Sequence, residues 1–236
     1  MNPPPQTEVV SPGFFIPVIA IDGPSASGKG TVAQSVAGRL GFHYLDSGAL
    51  YRLSALACVR RGVDLADEVA VAKQAAQLDM RFQGDQIFLF DQDVGDQIRT
   101  EQCGVDASRV AAYPALRAAL EKKQREFKRL PGLVADGRDM GSVIFPDATL
   151  KIFLTATAEA RAERRTKQLK EKGMYAKMHD VIEELQRRDL RDSSRSVAPL
   201  KHYPDAKLLD TTQLSIEQAV NQILDWYREI SPVRAP

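Results

Sequence analysis

One stretch near the start of the chain, Gly23-Pro24-Ser25-Ala26-Ser27-Gly28-Lys29-Gly30-Thr31, limits what the sequence can fold into more than any other. It directly follows an apolar run, Phe14 to Ile21, and directly precedes a segment in which Val32, Val36 and Leu40 keep helical spacing before Gly41 closes it. Glycines let successive backbone N–H groups turn to one side. A helix starting at the end of such a loop brings its positive dipole end to the same place. Strand, glycine-rich loop and helix together form a cradle for the phosphates of a nucleoside triphosphate, with Lys29 placed to reach the β- and γ-phosphates. Where the pattern usually follows its lysine with Ser or Thr, a magnesium ligand, this chain has Gly30 and then Thr31. Magnesium is therefore expected to be held mainly by phosphates and waters.

The rest of the chain supports an α/β fold. Four or five short apolar runs alternate with longer helical stretches, the pattern of a mostly parallel sheet. After Phe14 to Ile21 come Phe42 to Leu45, Leu133 to Ala135, Leu150 to Leu154 and Lys207 to Leu209, then a helix from Ser215 to Arg228. Helices are expected over Leu50 to Leu78. Met80 to Arg99 alternates strand-like segments, the last at Val94, with Gly84-Asp85 and Asp91-Gln92-Asp93, and reads as a small antiparallel insert. Arg161 to Arg195 is helical in pattern and dense in Arg and Lys, interrupted by Gly173. The Pro-rich segment Met1 to Gly13 is expected to be a disordered tail.

With 236 residues and a net charge of +1, the chain has a core of ordinary size and no global charge that favours nucleic acid or a membrane. Acids interrupt the basic stretch, and only Tyr175 offers a stacking aromatic within it. Its two cysteines, Cys58 and Cys103, have neither disulfide-framework nor zinc spacing, and a cytoplasmic location is expected.

A phosphate donor alone does not define the chemistry, because switches and transport ATPases share the loop. No base-reading Asn-Lys-x-Asp segment is present, and Val134-Ala135-Asp136 is a weak version of an ATPase acid strand. The supply of arginine separates the classes. Transfer between two phosphates needs their mutual repulsion cancelled, and Arg52, Arg117, Arg138, Arg188, Arg191 and Arg195 stand beside loops or strand ends. Asp46-Ser47-Gly48 and Asp136-Gly137-Arg138-Asp139 end two expected strands, where open α/β sheets bind ligands. The three histidines, His43, His179 and His202, are scattered, and no serine nucleophile or histidine base is needed when the acceptor is itself a phosphate oxygen.

These residues also carry a resemblance. Glycine-threonine after the lysine is the form seen in nucleoside monophosphate kinases. The loop Asp22 to Thr31, Leu45 to Ala49 with Tyr51-Arg52, Ile98-Arg99-Thr100, Ser108 with Val110 to Pro114 and Arg117, Ala135 to Gly141, and Arg188 to Leu200 resemble the bacterial cytidylate kinase family from about Pro17 to Tyr227. The resemblance implies a P-loop three-layer fold with a five-stranded parallel sheet, a small antiparallel acceptor-binding insert and a helical lid. It implies phosphoryl transfer from ATP, with Mg²⁺, to CMP or dCMP. Ser47, Ser108, Arg117 and Asp139 fall where the family contacts the cytosine and adjoining groups, and Arg52, Arg138 and Arg188 where it holds the acceptor phosphate. Asp192 falls near the sugar, and Arg195 also lines the acceptor site. Lys29, Arg138 and Arg188 are the expected catalytic groups. Arg164 and Arg165 are expected to reach the ATP phosphates, and Asp46 and Asp136 to hold magnesium-bound water. One kinase domain over residues 14–236 is expected, with its core at 14–50, 131–165 and 196–228. The acceptor-binding region is expected at 51–130, including the insert 79–99, and the lid at 166–195. The chain is expected to be a monomer. A kinase for another pyrimidine monophosphate (UMP) and a nucleotide-gated regulator are the alternatives.

Overall fold

A computed structural model describes residues 15–83, 86–171 and 173–231. The expected tail Met1 to Gly13 and the turn at Gly84-Asp85 lie outside them. Strand β1 (Val18–Asp22) begins directly after Pro17, and the glycine-rich loop leads into α1 (Lys29–Leu40) and β2 (His43–Asp46). Next come α2 (Ser47–Arg60), α3 (Glu68–Ala76), β3 (Met80–Gln83), β4 (Gln86–Leu89), β5 (Gln92–Asp93), α4 (Gly95–Ile98), α5 (Glu101–Val110) and α6 (Pro114–Arg125). The chain re-enters the main sheet at β6 (Leu133–Gly137), makes one wide π-helical turn (Met140–Ile144) and continues to β7 (Leu150–Thr155). Helices α7 (Ala158–Glu171) and α8 (Met178–Ser194), strand β8 (Lys207–Asp210) and α9 (Ile216–Ile230) complete it.

Among the described residues the main sheet has five strands in the order β2-β6-β1-β7-β8, every pair parallel. Alternation along β1 sorts two cores. Val18 and Ala20 face a layer containing Leu50, Ala55, Val110, Leu116 and Leu120, while Ile19 and Ile21 face Val32, Val36, Val220 and Ile223 of α1 and α9. Buried on both faces, the central strands β1 and β6 read as continuous apolar runs. Helix α2 is buried twice over, because Leu53 and Ala57 on its far side pack with Leu89, Val94 and Ile98 of the insert.

Two details differ from expectation. Val94 is not a strand residue but the buried lead-in to α4, because the Asp93 carboxylate accepts from Gly95 N at 2.9 Å and turns the chain. As its interruption at Gly173 implied, the basic stretch is two helices, which pack together through Ala162, Leu169, Val181 and Leu185, with Gly173 at φ 73° between them. Helix α7 also runs unbroken across residues 165 and 166, where core was expected to give way to lid.

Strand register sets the level of the site. Asp22 pairs with Gly137 across β1 and β6, and Asp46 with Asp136 across β2 and β6, so the carboxyl ends of three strands come to one height. The Asp22 carboxylate then accepts from Met140 N at 2.8 Å and Gly141 N at 2.9 Å, fixing the π-helical turn that follows Arg138 and Asp139. Burial lifts this carboxyl to about 7. Asp22→Ala leaves two backbone donors without an acceptor. It is expected to lower stability by about 1–3 kcal/mol per donor, read as a lower denaturant midpoint in urea unfolding.

Candidate active site

The glycine-rich loop is built for close approach. A methyl group at Gly23 would run into the backbone carbonyl of Leu154 on β7. Ala26 and Gly28 take positive φ of 58° and 92°, and Gly28 caps α1 without any side-chain acceptor, leaving the first helical N–H groups for an anion. The loop's carbonyl oxygens are tied elsewhere. Arg161 donates to Ser25 O at 3.2 Å, and Arg164 donates to Ser27 O at 2.9 Å and to Thr211. Thr211 donates to Ser27 O at 3.1 Å, and Ser27 donates to Pro24 O at 3.0 Å. Holding the carbonyls from behind aims the N–H groups forward.

In front of the loop lies a cavity of about 360 Å³. Every residue expected on the acceptor side lines it: Ser47, Arg52, Ser108, Arg117, Arg138, Asp139, Arg188, Asp192 and Arg195. So do Ser25, Ala26, Gly28, Lys29, Gly30 and Thr31 of the loop, and Asp46, Asp136 and Arg165. Gly23, Pro24, Ser27 and Arg164 do not; they form the frame behind it. In this structure the Arg164 guanidinium is bonded to Ser27 O and to the hydroxyl and carbonyl of Thr211, behind the loop. Arg165 does face the cavity, where it is ion-paired with Glu101 of α5.

The arginines fall into two kinds. Arg117 is buried in an ion pair with Asp139 and also donates to Ala111 O. Arg138 donates to Asp192 at 2.8 Å, to Ser25 Oγ at 2.8 Å and to Gly137 O at 3.2 Å, joining β6, the loop and α8. Arg188 is different: its Nε is buried without a hydrogen-bond partner. Burial, with Arg138 and Arg52 close by, pulls its guanidinium down to about 10. Arg195 Nη2 and Ser108 Oγ are likewise buried and unpartnered at the cavity. Unsatisfied donors grouped around one space call for a ligand with several acceptors.

Two acids and an amide of the cavity were missing from the sequence reading. Glu101 and Glu184 are hydrogen-bonded to each other in its lining, where burial and the Glu101 carboxylate lift Glu184 to about 7. Gln168 of α7 also lines the space. Nothing in the sequence marks an acid at 101 as the partner of an arginine at 165. Arg161, behind the loop, shares a face of one helix with Arg164 and Arg165, a spacing the sequence does display.

The donor set suits a hydrated magnesium ion. A Cβ on Gly30 would lie 3.1 Å from Asp136 Oδ2 and 3.6 Å from Tyr44 OH, so a side chain there would crowd the Asp136 carboxylate. The oxygen at that spot is Asp136 itself, which accepts from Tyr44 OH at 2.9 Å. Among the described residues no group of three or more His, Cys, Asp or Glu forms a closed metal cage. Magnesium needs none, since it keeps waters and binds through one or two carboxylates plus substrate phosphates. Asp46 is partly engaged already, accepting from Ala49 N at 3.0 Å as the cap of α2.

A strand–loop–helix phosphate cradle opening onto an arginine-lined second half defines a P-loop phosphotransferase. More narrowly, the chain belongs to the cytidylate kinase family: the sequence model for cytidylate kinase matches residues 19–229. The chain is 58% identical over 214 residues to a cytidylate kinase of Chromobacterium violaceum, covering 91% of this chain and 96% of that one. Cytidylate kinases of Polynucleobacter asymbioticus (60% over 213 residues, 90% and 97% covered) and Cupriavidus necator (56% over 218, 92% and 98%) are similarly close.

Burial first, and then the Arg138 charge, pull Lys29 down to about 8 despite Asp136 and Asp46 nearby. A bound polyphosphate raises it again. At pH 8 nucleotide binding is therefore expected to take up about half a proton, and less at pH 7, where Lys29 is already mostly charged. Calorimetry of ATP binding in buffers of different ionisation enthalpy measures this. Lys29→Arg, charged throughout, is expected to remove the uptake.

Proposed function

We propose that the chain transfers the γ-phosphoryl group of ATP to CMP or dCMP, giving ADP and CDP or dCDP. The observation that carries this reading is the convergence of Arg52, Arg138 and the unpartnered Arg188 on the cavity opposite Lys29. Two anionic groups brought together need cations on both sides, and this space has them.

The base end of the acceptor is assigned to Ser47, Ser108, Arg117 and Asp139. Cytosine presents an exocyclic amine, a ring acceptor and a carbonyl, which a carboxylate, hydroxyls and a guanidinium complement. Asp139 and Arg117 hold each other in place before the base arrives. Arg52, Arg138 and Arg188 take the acceptor phosphate, Asp192 lies toward the sugar, and Arg195 supports them. The acceptor phosphate is largely dianionic near neutral pH, because its second pKa is about 6. Its oxygen therefore attacks directly, in line, with no protein nucleophile and no phosphoenzyme. Lys29, Arg138 and Arg188 neutralise the charge that moves from donor to acceptor. Magnesium, when bound with ATP, supplies further neutralisation and is held through Asp136 and Asp46 by way of water.

Water competes as an acceptor, so the space must close before transfer. Helix α8, carrying Arg188, Asp192 and Arg195, is the closing element, and Gly173 lies in the connection before it. The first half of α7 belongs with the core instead, since Arg161 and Arg164 hold the loop. We take the chain to act as a cytoplasmic monomer, and the two free, buried cysteines suit a reducing compartment. Among the described residues no helix is long and apolar enough to cross a membrane.

Steady-state rates with CMP, dCMP, UMP and AMP test the reading. CMP and dCMP are expected to give the highest kcat/KM, and a preference for UMP would overturn the acceptor assignment. Asp139→Asn keeps the size of the side chain but removes the charge opposite Arg117. It is expected to lower kcat/KM for CMP by about a hundredfold while leaving the KM for ATP within about twofold.

A further inference from the structure

Gly104 lies in the first turn of α5, and nothing in its backbone asks for glycine. Its φ is not left-handed, and its N–H donates to Thr100 O at 3.1 Å in an ordinary helical bond. Helix propensity favours alanine at such a place. What occupies the space of the missing side chain is Arg52. A Cβ built on Gly104 would lie 2.9 Å from Arg52 Nη2, 3.1 Å from Nη1 and 3.3 Å from Cζ. The whole guanidinium therefore lies across the glycine. Two carbonyls fix it there, Ile98 O at 2.7 Å and Thr100 O at 3.3 Å from Nη1.

We propose that Gly104 is a positioning residue for the acceptor phosphate: its bare α-carbon sets the depth at which the Arg52 guanidinium faces the cavity. The inference rests on the role assigned above to Arg52. An added methyl group does not move α5, which is packed against α2 through Ala107 and Val110 in the core around Leu50, Tyr51 and Ala55. The end of the flexible arginine gives way instead, lifting off Ile98 O and Thr100 O into the space where the acceptor phosphate meets Arg138 and Arg188. A planar cation that recognises phosphate by paired hydrogen bonds tolerates little displacement. The glycine thus gives up helix stability for the placement of one charge.

The experiment compares Gly104→Ala, Arg52→Ala and the double variant in the full chain. Gly104→Ala is expected to melt at the same temperature as the parent or higher. Its KM for CMP is expected to rise about tenfold, with the KM for ATP within about twofold. In the Arg52→Ala background the same substitution is expected to change the KM for CMP by less than about twofold, because the group it displaces is gone. An unchanged KM for CMP in Gly104→Ala, with Arg52→Ala impaired, overturns this inference and leaves the role of Arg52 standing. An unimpaired Arg52→Ala overturns that role itself. A Gly104→Ala protein that melts lower, or loses both substrates equally, overturns the inference too, since the glycine then serves packing.

Discussion

The site depends on one half-buried cation. Arg138 leaves the end of β6 and reaches Asp192 on α8 and Ser25 on the phosphate loop, so one guanidinium joins three parts of the chain far apart in sequence. Removing an arginine of this kind from water is unfavourable by several kcal/mol unless its donors are met. Asp192 meets that need and is in turn held below the usual carboxylate range by Arg138, against its own burial. Docking of α8 over the cavity is therefore coupled to the sheet by an ion pair that neither partner can leave unpaired without a penalty. On the other side Arg161 holds Ser25 O while ion-paired with Asp189 of α8 at 2.6 Å, and Arg164 meets Ser27 O and Thr211, which fixes the loop from behind.

The rest of the electrostatics follows from what Arg138 leaves unsatisfied. Arg188 is one helical turn from Asp192 yet has no partner for its Nε, with Arg138 and Arg52 as like charges near it. Lys29 faces the same problem and is pulled down to about 8. Asp136, lifted to about 6 by burial, does not relieve it fully. A protein that only had to be stable would pair or expose such groups. Kept buried and unpaired around one cavity, they are a standing deficit of negative charge, which a triphosphate and a monophosphate together fill.

The parts of this design that show in the sequence are those with short range. The phosphate loop is contiguous, the five sheet strands are local apolar runs, and Gly41 and Ser215 mark helix ends by their own chemistry. The arginines that line the cavity were legible chiefly through the family resemblance, since Arg138 follows a strand end but Arg52 and Arg188 lie inside helices. The direction in which Arg164 points does not show in the sequence, because it depends on Thr211, 47 residues away. Glu101 and Arg165 are 64 residues apart, and no pattern joins them. Val94 looked like strand because it is apolar and buried, and only the Asp93 turn to Gly95 shows why the strand has already ended.

The same contrast explains how the site can be ready before its substrates arrive. Most cations facing the cavity are fixed in advance: Arg52 by Ile98 O and Thr100 O, Arg117 by Asp139 and Ala111 O, Arg138 by Asp192, Ser25 and Gly137 O, and Arg165 by Glu101. These anchors immobilise the groups, so little reorganisation remains when phosphate binds. Arg188 has no such anchor for its Nε and rides on α8, the element that has to close. The division is physically sensible. Charges that must already be in place are held by the sheet and the acceptor helices. The charge whose arrival should coincide with exclusion of water is left on the helix whose docking excludes it.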